Sequence, residues 1–94
     1  MFITNLLINC EDNLNELLEK GCYKEFKTKL RKALVRFKRE RSSPYYLRLW
    51  LYYATLIQNP IPIYQHLFQQ RIGTTFALLY EDIAFYYLTM GKQV

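Results

Sequence analysis

The sequence predicts an all-α fold of about five helices, paired as antiparallel helical hairpins. Apolar residues recur every three or four positions in several segments, as the buried face of a helix requires. Glycine and proline fall between these segments, and no alternating run is bounded by turn residues as a β-hairpin would be. A chain of 94 residues is near the lower size limit for a stable core, so we expect a single domain over residues 1–94.

The first two predicted helices form an N-terminal hairpin over residues 1–40. The first covers about residues 3–20, and it could break in the polar stretch between Asn9 and Asn13. Gly21 provides the turn, since glycine tolerates the left-handed conformation that ends many helices. The second helix covers about residues 23–39 and carries apolar residues on one face. This apolar stripe consists of Tyr23, Phe26, Leu30, Leu34 and Phe37.

A third helix is predicted over residues 44–58. Ser43 can cap its first turn, and Pro44 is favoured directly after such a cap because the first helical N–H has no partner in any case. Asn59-Pro60 ends this helix, because the residue before a proline avoids the helical conformation. A fourth, shorter helix is expected over about residues 62–70.

The fifth predicted helix, over about residues 74–90, is apolar on nearly all of its faces. Gly73 precedes it as a turn, and Thr74 or Thr75 is its expected cap. A helix at the end of a helical array ordinarily keeps a polar outer face. We therefore expect this helix either to lie centrally in the fold or to be covered by another chain. One hypothesis is a homodimer in which two copies associate through it. The residues proposed for that contact are Phe85, Tyr86 and Leu88.

The third and fifth helices share a short sequence pattern. Trp50 and Ala54 recur as Tyr80 and Ala84, thirty residues later. A large aromatic residue followed four positions later by a small one lets one helix nest against the next in arrays of helical hairpins. The spacing is close to the period of about 34 residues in a TPR array, so we expect the hairpins to be TPR-like.

Two longer blocks resemble a known family. The first is Pro44-Tyr45-Tyr46-Leu47-Arg48-Leu49-Trp50-Leu51-Tyr52-Tyr53-Ala54. The second is Ile72-Gly73-Thr74, followed by Ala77, Tyr80, Glu81, Ala84 and Gly91. With these blocks, residues 44–91 resemble the N-terminal TPR-like domain of the spindle-assembly-checkpoint Mad/Bub family, which includes the Bub kinase and its BubR and Mad relatives. The chain departs from the family pattern at Ser43, Tyr45, Ile83 and Leu88.

The resemblance implies a non-catalytic protein-interaction module of the mitotic spindle checkpoint. In that family the domain docks an amphipathic peptide of a large kinetochore scaffold protein of the Blinkin type, by helix-in-groove recognition. The implied location is the nucleus and the kinetochore, and the cytoplasm otherwise. Burial in the core is the simpler interpretation of Trp50, because large apolar side chains are usually buried. Carried over by position, the peptide-binding residues are Trp50, Tyr53, Leu56 and Ile57.

The chain is basic, with 13 Lys and Arg against 8 Asp and Glu and a net charge of +5. Ten of these cations lie between Lys20 and Arg41. Such a run is usually a solvated helix face, but it could also pair with the acidic residues of the first helix or bind an anion. Nucleic-acid binding through the second helix is therefore one alternative function, and a generic TPR or half-TPR assembly scaffold is another. The candidate anion-binding residues are Lys24, Lys27, Arg31 and Lys32.

No residue pattern in the sequence predicts catalysis, a cofactor or a metal site. Cys10 and Cys22 form neither a Cys-x-x-Cys pair nor a zinc-spaced set with histidine. His66 has no acid or nucleophile at a useful spacing, and the adjacent Glu81 and Asp82 point about 100° apart on a helix. No run of about 18 apolar residues predicts a membrane span. We therefore expect no enzyme activity, no cofactor and no membrane partner.

Overall fold

The computed structural model describes residues 2–91. Within this range the chain forms five α-helices and no strand, which confirms the predicted all-α fold of about five helices. The helices are α1 (Phe2–Glu19), α2 (Tyr23–Arg36), α3 (Pro44–Leu56), α4 (Ile61–Gln70) and α5 (Ala77–Gly91).

Helix α1 is continuous, so the break that we considered between Asn9 and Asn13 does not occur. The polar stretch stays helical because Glu11 points inward, where its carboxylate forms an ion pair with Arg48 of α3 at 2.6 Å. Leu7 and Leu14 are buried on either side of it. One buried face therefore runs through the whole helix, and tertiary packing outweighs the low helix propensity of the asparagines.

The turn between α1 and α2 forms as predicted. Gly21 has a φ of +75°, and its N–H donates to the carbonyl of Leu18 while the N–H of Cys22 donates to that of Leu17. These bonds satisfy the last carbonyls of α1, as the common glycine-terminated helix end does.

Two helices end earlier than the sequence predicts. Helix α2 ends at Arg36 instead of residue 39. The chain turns at the buried Phe37, and the next N–H, that of Lys38, donates to Val35 three residues back instead of continuing the helical pattern. Helix α3 ends at Leu56 instead of residue 58, and Ile57 is extended with φ −103° and ψ 152°. Neither ending has a glycine or proline at the last helical residue, so periodicity alone overestimated both lengths.

The start of α3 and the turn before α5 lie against each other. Ser43 caps α3 by accepting a hydrogen bond from the N–H of Tyr45 at 3.2 Å, as expected. Gly73 has a φ of +68°, and a Cβ added there would lie 2.7 Å from the Leu47 side chain. Its N–H donates to the carbonyl of Arg41 at 3.1 Å. The two sequence blocks that carried the family resemblance are thus joined at this close contact.

The ends of α4 and α5 differ from the predicted caps. Helix α4 ends at Gln70, and Arg71 directly after it takes the left-handed conformation with φ 55°, two residues before Gly73. Helix α5 begins at Ala77, so neither Thr74 nor Thr75 is its cap. The Thr74 carbonyl instead accepts a hydrogen bond from the Tyr80 hydroxyl at 2.7 Å.

Helix α3 is the centre of the core and packs against each of the other four helices. It contributes more buried side chains than any other helix, whereas α5 contributes Leu79 only. The expectation that α5 could lie centrally is therefore wrong, since it packs on one side of α3 and leaves most of its surface exposed. The buried residues of α3 are Tyr46, Leu47, Leu49, Leu51 and Ala54.

Candidate functional site

The four residues predicted to bind a peptide lie in the C-terminal half of α3 and directly after it. All four are half-buried. Trp50, Tyr53 and Leu56 pack against the core from α3, whereas Ile57 lies on the extended segment that follows. Spacings of three residues place Trp50, Tyr53 and Leu56 along one side of α3, whereas Ile57 lies beyond the end of the helix.

Trp50 is surrounded by other aromatic rings. Its ring centroid lies 6.5 Å from that of Tyr46, 6.2 Å from that of Tyr53 and 5.0 Å from that of His66 on α4. The indole N–H is buried and has no well-aligned acceptor among the described residues. Trp50 is thus partly a core residue, as the simpler interpretation held, and part of its ring remains at the surface.

Tyr46 fixes the base of this aromatic cluster. Its hydroxyl donates to the carbonyl of Leu34 at 2.7 Å, which ties α3 to α2. Burial raises the pKa of Tyr46, and the nearby indole N–H of Trp50 partly opposes that shift. A cavity of about 350 Å³ adjoins the cluster and is also lined by Lys38, Arg41 and His66.

Ile57 belongs to a different cleft, of about 210 Å³, between the end of α3 and α5. Tyr64, Phe85 and Tyr86 also line it. The Tyr64 hydroxyl donates to Asp82 at 2.8 Å. Burial, together with this bond, raises the pKa of Tyr64 well above its ordinary value. The structure therefore brings Ile57 together with two residues that the sequence assigned to a separate surface, and it does not place Ile57 beside Trp50.

The residues predicted for self-association differ in exposure. Phe85 is 72% exposed and Leu88 is 67% exposed. Tyr86 is half-buried, and its ring centroid lies 6.2 Å from that of Tyr64. Phe85 and Leu88 are available for a contact with another chain, and Tyr86 mainly anchors α5 to α4. Self-association stays a prediction.

The candidate anion-binding residues Lys24, Lys27, Arg31 and Lys32 are all exposed on α2. The proposed pairing of this helix with the acidic side chains of α1 is not seen among residues 2–91. The ion pairs there are Lys20–Glu16 within α1 and Arg48–Glu11 between α3 and α1. The cations of α2 therefore remain without carboxylate partners in the described part of the chain.

Three cations line a groove between α1 and α2. They are Lys29, Lys32 and Arg36, of which only Lys32 was among the anion-binding candidates. Their spacings of three and four residues place them on one helix face. That spacing was present in the sequence, but the direction of the face depends on how α2 packs against α1.

Nowhere in the described range do three His, Cys, Asp or Glu side chains come together in a way that could hold a metal ion. Among the same residues, no helix combines the length and the apolar character needed to span a bilayer.

Comparison with known families identifies the family of this chain. The model of the family described as Mad3/BUB1 homology region 1 matches residues 3–93. The chain belongs to this family. The match covers almost the whole sequence, so it extends the resemblance found in residues 44–91 to the hairpin α1–α2 as well. Comparisons with curated proteins and with solved structures gave no match.

Membership of the Mad3/BUB1 region 1 family places the chain among spindle-checkpoint proteins of the cell cycle. The domain of this family is a protein-interaction domain. Both statements agree with an all-α structure whose apolar side chains are partly exposed on α3 and α5.

Proposed function

We propose that this Mad3/BUB1 region 1 domain docks an amphipathic peptide of a Blinkin-type kinetochore scaffold protein on α3. The binding residues are Trp50, Tyr53, Leu56 and Ile57. The domain acts as a non-catalytic module of the mitotic checkpoint, in the nucleus at the kinetochore and in the cytoplasm otherwise. The observation that carries this proposal is the family match over residues 3–93.

The packing of α3 supports the proposal. Tyr53 and Leu56 are half-buried, so each offers apolar surface while its rotamer is held by neighbours. Preorganised side chains of this kind lose little conformational entropy when a partner binds. From Trp50 to Leu56 the helix rises about 9 Å, which suits the anchors of a peptide helix spaced at i, i+3 or i+4, and i+7.

The cleft at Ile57 supports a second contact with the same peptide. It lies at the C-terminal end of α3, directly beyond Leu56, and is lined by apolar and aromatic side chains. A peptide that runs along α3 reaches this cleft with its last anchor. Binding there joins α3 to α5, because Ile57 and Phe85 line the same cleft.

The test is calorimetric titration of the chain with amphipathic peptides derived from the kinetochore scaffold. The double variant Tyr53→Ala, Leu56→Ala should weaken binding by at least about tenfold, because hot-spot truncations cost about 2 kcal/mol or more. Circular dichroism checks that the variant keeps its helices. A fluorescent fusion of the same variant should lose kinetochore localisation in mitotic cells.

A matched control is available on α5. The double variant Tyr87→Ala, Leu88→Ala removes the same two residue types from an exposed position and should bind the peptide as the parent does. The proposal is overturned if the folded parent binds no scaffold peptide. It is equally overturned if the α3 variant binds as tightly as the parent.

The unpaired cations of α2 favour nucleic-acid binding as a second candidate function. That alternative predicts binding to an oligonucleotide with a steep loss of affinity as salt rises, because counterions are released from phosphates. Docking on α3 predicts a weaker salt dependence. A generic assembly scaffold predicts that the folded chain binds neither ligand.

A further inference from the structure

A groove of about 370 Å³ lies between α1 and α2, and none of the peptide-binding candidates lines it. Its volume is within the range of about 300–1,000 Å³ typical of small ligand pockets. Its walls come from α1 and α2, whereas the proposed docking site lies on α3. The groove is therefore a separate surface from the proposed docking site on α3.

The floor of the groove is apolar and its two walls are polar. Leu14, Ala33 and Phe37 are buried beneath it. On the α1 side, the exposed amides of Asn9 and Asn13 form the rim. A groove with an apolar floor between polar walls accommodates a peptide segment that has one apolar face and polar flanks.

The α2 wall carries positive charge alone. Lys29, Lys32 and Arg36 line it, and none of the side chains that line the groove is acidic. Neither ion pair among the described residues involves these three cations. The guanidinium carbon of Arg36 lies 5.0 Å from the centroid of the Phe37 ring, which holds this charge at the edge of the apolar floor. A partner with carboxylates beside its apolar residues therefore complements both the floor and the wall.

We infer that the α1–α2 groove binds an acidic amphipathic segment of a partner protein. Apolar side chains of the segment enter the floor, and its carboxylates meet Lys29, Lys32 and Arg36. A nucleic-acid strand fits less well, because no exposed aromatic side chain lines the groove for base stacking and the apolar floor would face phosphates. This inference concerns a second surface and does not depend on the docking site proposed on α3.

The test uses three fluorescent probes with the full 94-residue chain. The first is a helical peptide of about 15 residues with leucines on one face and glutamates on its flanks. The second is polyglutamate of equal charge, and the third is a single-stranded oligonucleotide. We expect the amphipathic peptide to bind at least about tenfold more tightly than polyglutamate, because only it can bury apolar surface.

Two charge-reversal variants of equal net charge separate the groove from the rest of α2. Lys29→Glu with Arg36→Glu reverses the groove wall, and should weaken peptide binding by about tenfold or more through repulsion. Lys27→Glu with Arg31→Glu changes the charge equally on the same helix but outside the groove. This control should keep most of the affinity.

Cys10 supplies a second measurement that does not depend on substitutions at the cations. It lines the groove and is half-buried, whereas Cys22 is half-buried outside it. Burial raises the pKa of Cys10, and the charge of Arg36 partly opposes that shift. Bound peptide should slow alkylation of Cys10 several-fold at mildly alkaline pH and leave Cys22 unaffected.

Four results would each overturn the inference. These are equal weakening by the two charge-reversal variants, equal affinity for polyglutamate and the amphipathic peptide, tighter binding of the oligonucleotide, and no protection of Cys10. Each is distinguishable from failure of the α3 proposal, because the Tyr53→Ala, Leu56→Ala variant leaves the groove intact and should bind the acidic probe as the parent does.

Discussion

Helices α2 and α5 have similar lengths, but α2 buries most of its apolar side chains and α5 leaves most of its own exposed. Helix α2 contains six Lys or Arg in its 14 residues, and it buries Phe26, Leu30, Ala33 and Leu34. Helix α5 contains neither Lys nor Arg in its 15 residues, yet only Leu79 is fully buried. The more polar helix is therefore the better integrated of the two.

The difference shows that the spacing of apolar residues, more than their number, decides how a helix is placed. The stripe on α2 has one direction, so the helix settles between α1 and α3 with its cations in water. Helix α5 has apolar residues on nearly every face, and α3 and α4 cover only part of them. The rest of α5 is an exposed apolar surface of the kind that often binds another chain.

Truncating one leucine in each helix should give the largest difference in the free energy of unfolding. Leu30→Ala removes a side chain that is 0% exposed and should lower the free energy of unfolding by about 3 kcal/mol. Leu88→Ala removes an exposed side chain and should change it by less than about 0.5 kcal/mol. Urea unfolding followed by circular dichroism measures both. Equal effects would contradict the comparison.

The turns that precede the two helices offer the next test. Gly73→Ala, before α5, combines a positive φ with a Cβ contact of 2.7 Å to Leu47, and should cost about 2–3 kcal/mol. Gly21→Ala, before α2, has a positive φ but open space around the new Cβ, and should cost about 1 kcal/mol. Thermal melts of the two variants compare these costs. A smaller cost at Gly73 would show that Leu47 moves aside freely.

Tyr64 tests how firmly α4 holds α5. Tyr64→Phe removes the hydrogen bond to Asp82 and should cost about 1 kcal/mol near neutral pH. Because burial and Asp82 raise the pKa of Tyr64, its contribution is complete below the unfolded pKa of about 10 and is lost as pH rises above it. The variant should therefore lose less stability than the parent between about pH 8 and pH 10.5. Urea unfolding at both pH values checks this, and equal losses would contradict it.

Self-association through α5 is the smallest effect that we expect. A helix with Phe85 and Leu88 exposed should form a weak dimer, with a dissociation constant of about 10–100 μM, since apolar burial is modest and association carries an entropic cost. Sedimentation velocity over a range of concentrations detects it. Phe85→Ser with Leu88→Ser should be monomeric throughout, and a parent chain that stays monomeric at about 1 mM would contradict the prediction.

Much of the helix content was predictable from local patterns. Apolar patterns between turn residues located all five helices, and Ser43 and Gly21 marked a start and a turn correctly. The ends of α2 and α3 were missed by three and two residues because Phe37 and Ile57 leave the helix to reach neighbours elsewhere in the chain. Such endings depend on contacts that are distant in sequence, which propensity does not report.

The candidate site was predictable in part. Resemblance indicated the family and named Trp50, Tyr53, Leu56 and Ile57, and the family match over residues 3–93 confirms the family. It did not indicate that Ile57 would share a cleft with Phe85 and Tyr86. The groove between α1 and α2 was missed altogether, because its floor and its charged wall come from two helices and neither helix shows it alone.

The sequence by itself determined the class of fold, the order of the helices and the family, because each rests on spacing along the chain. Only the tertiary structure decided which apolar residues are covered and which cations remain unpaired. Glu11 illustrates the reason: its place in a polar stretch suggested a weak point in α1, yet its side chain is buried and forms an ion pair with Arg48 of α3. Whether a side chain is buried or paired depends on which other helix packs against it, and that is decided only when the chain folds.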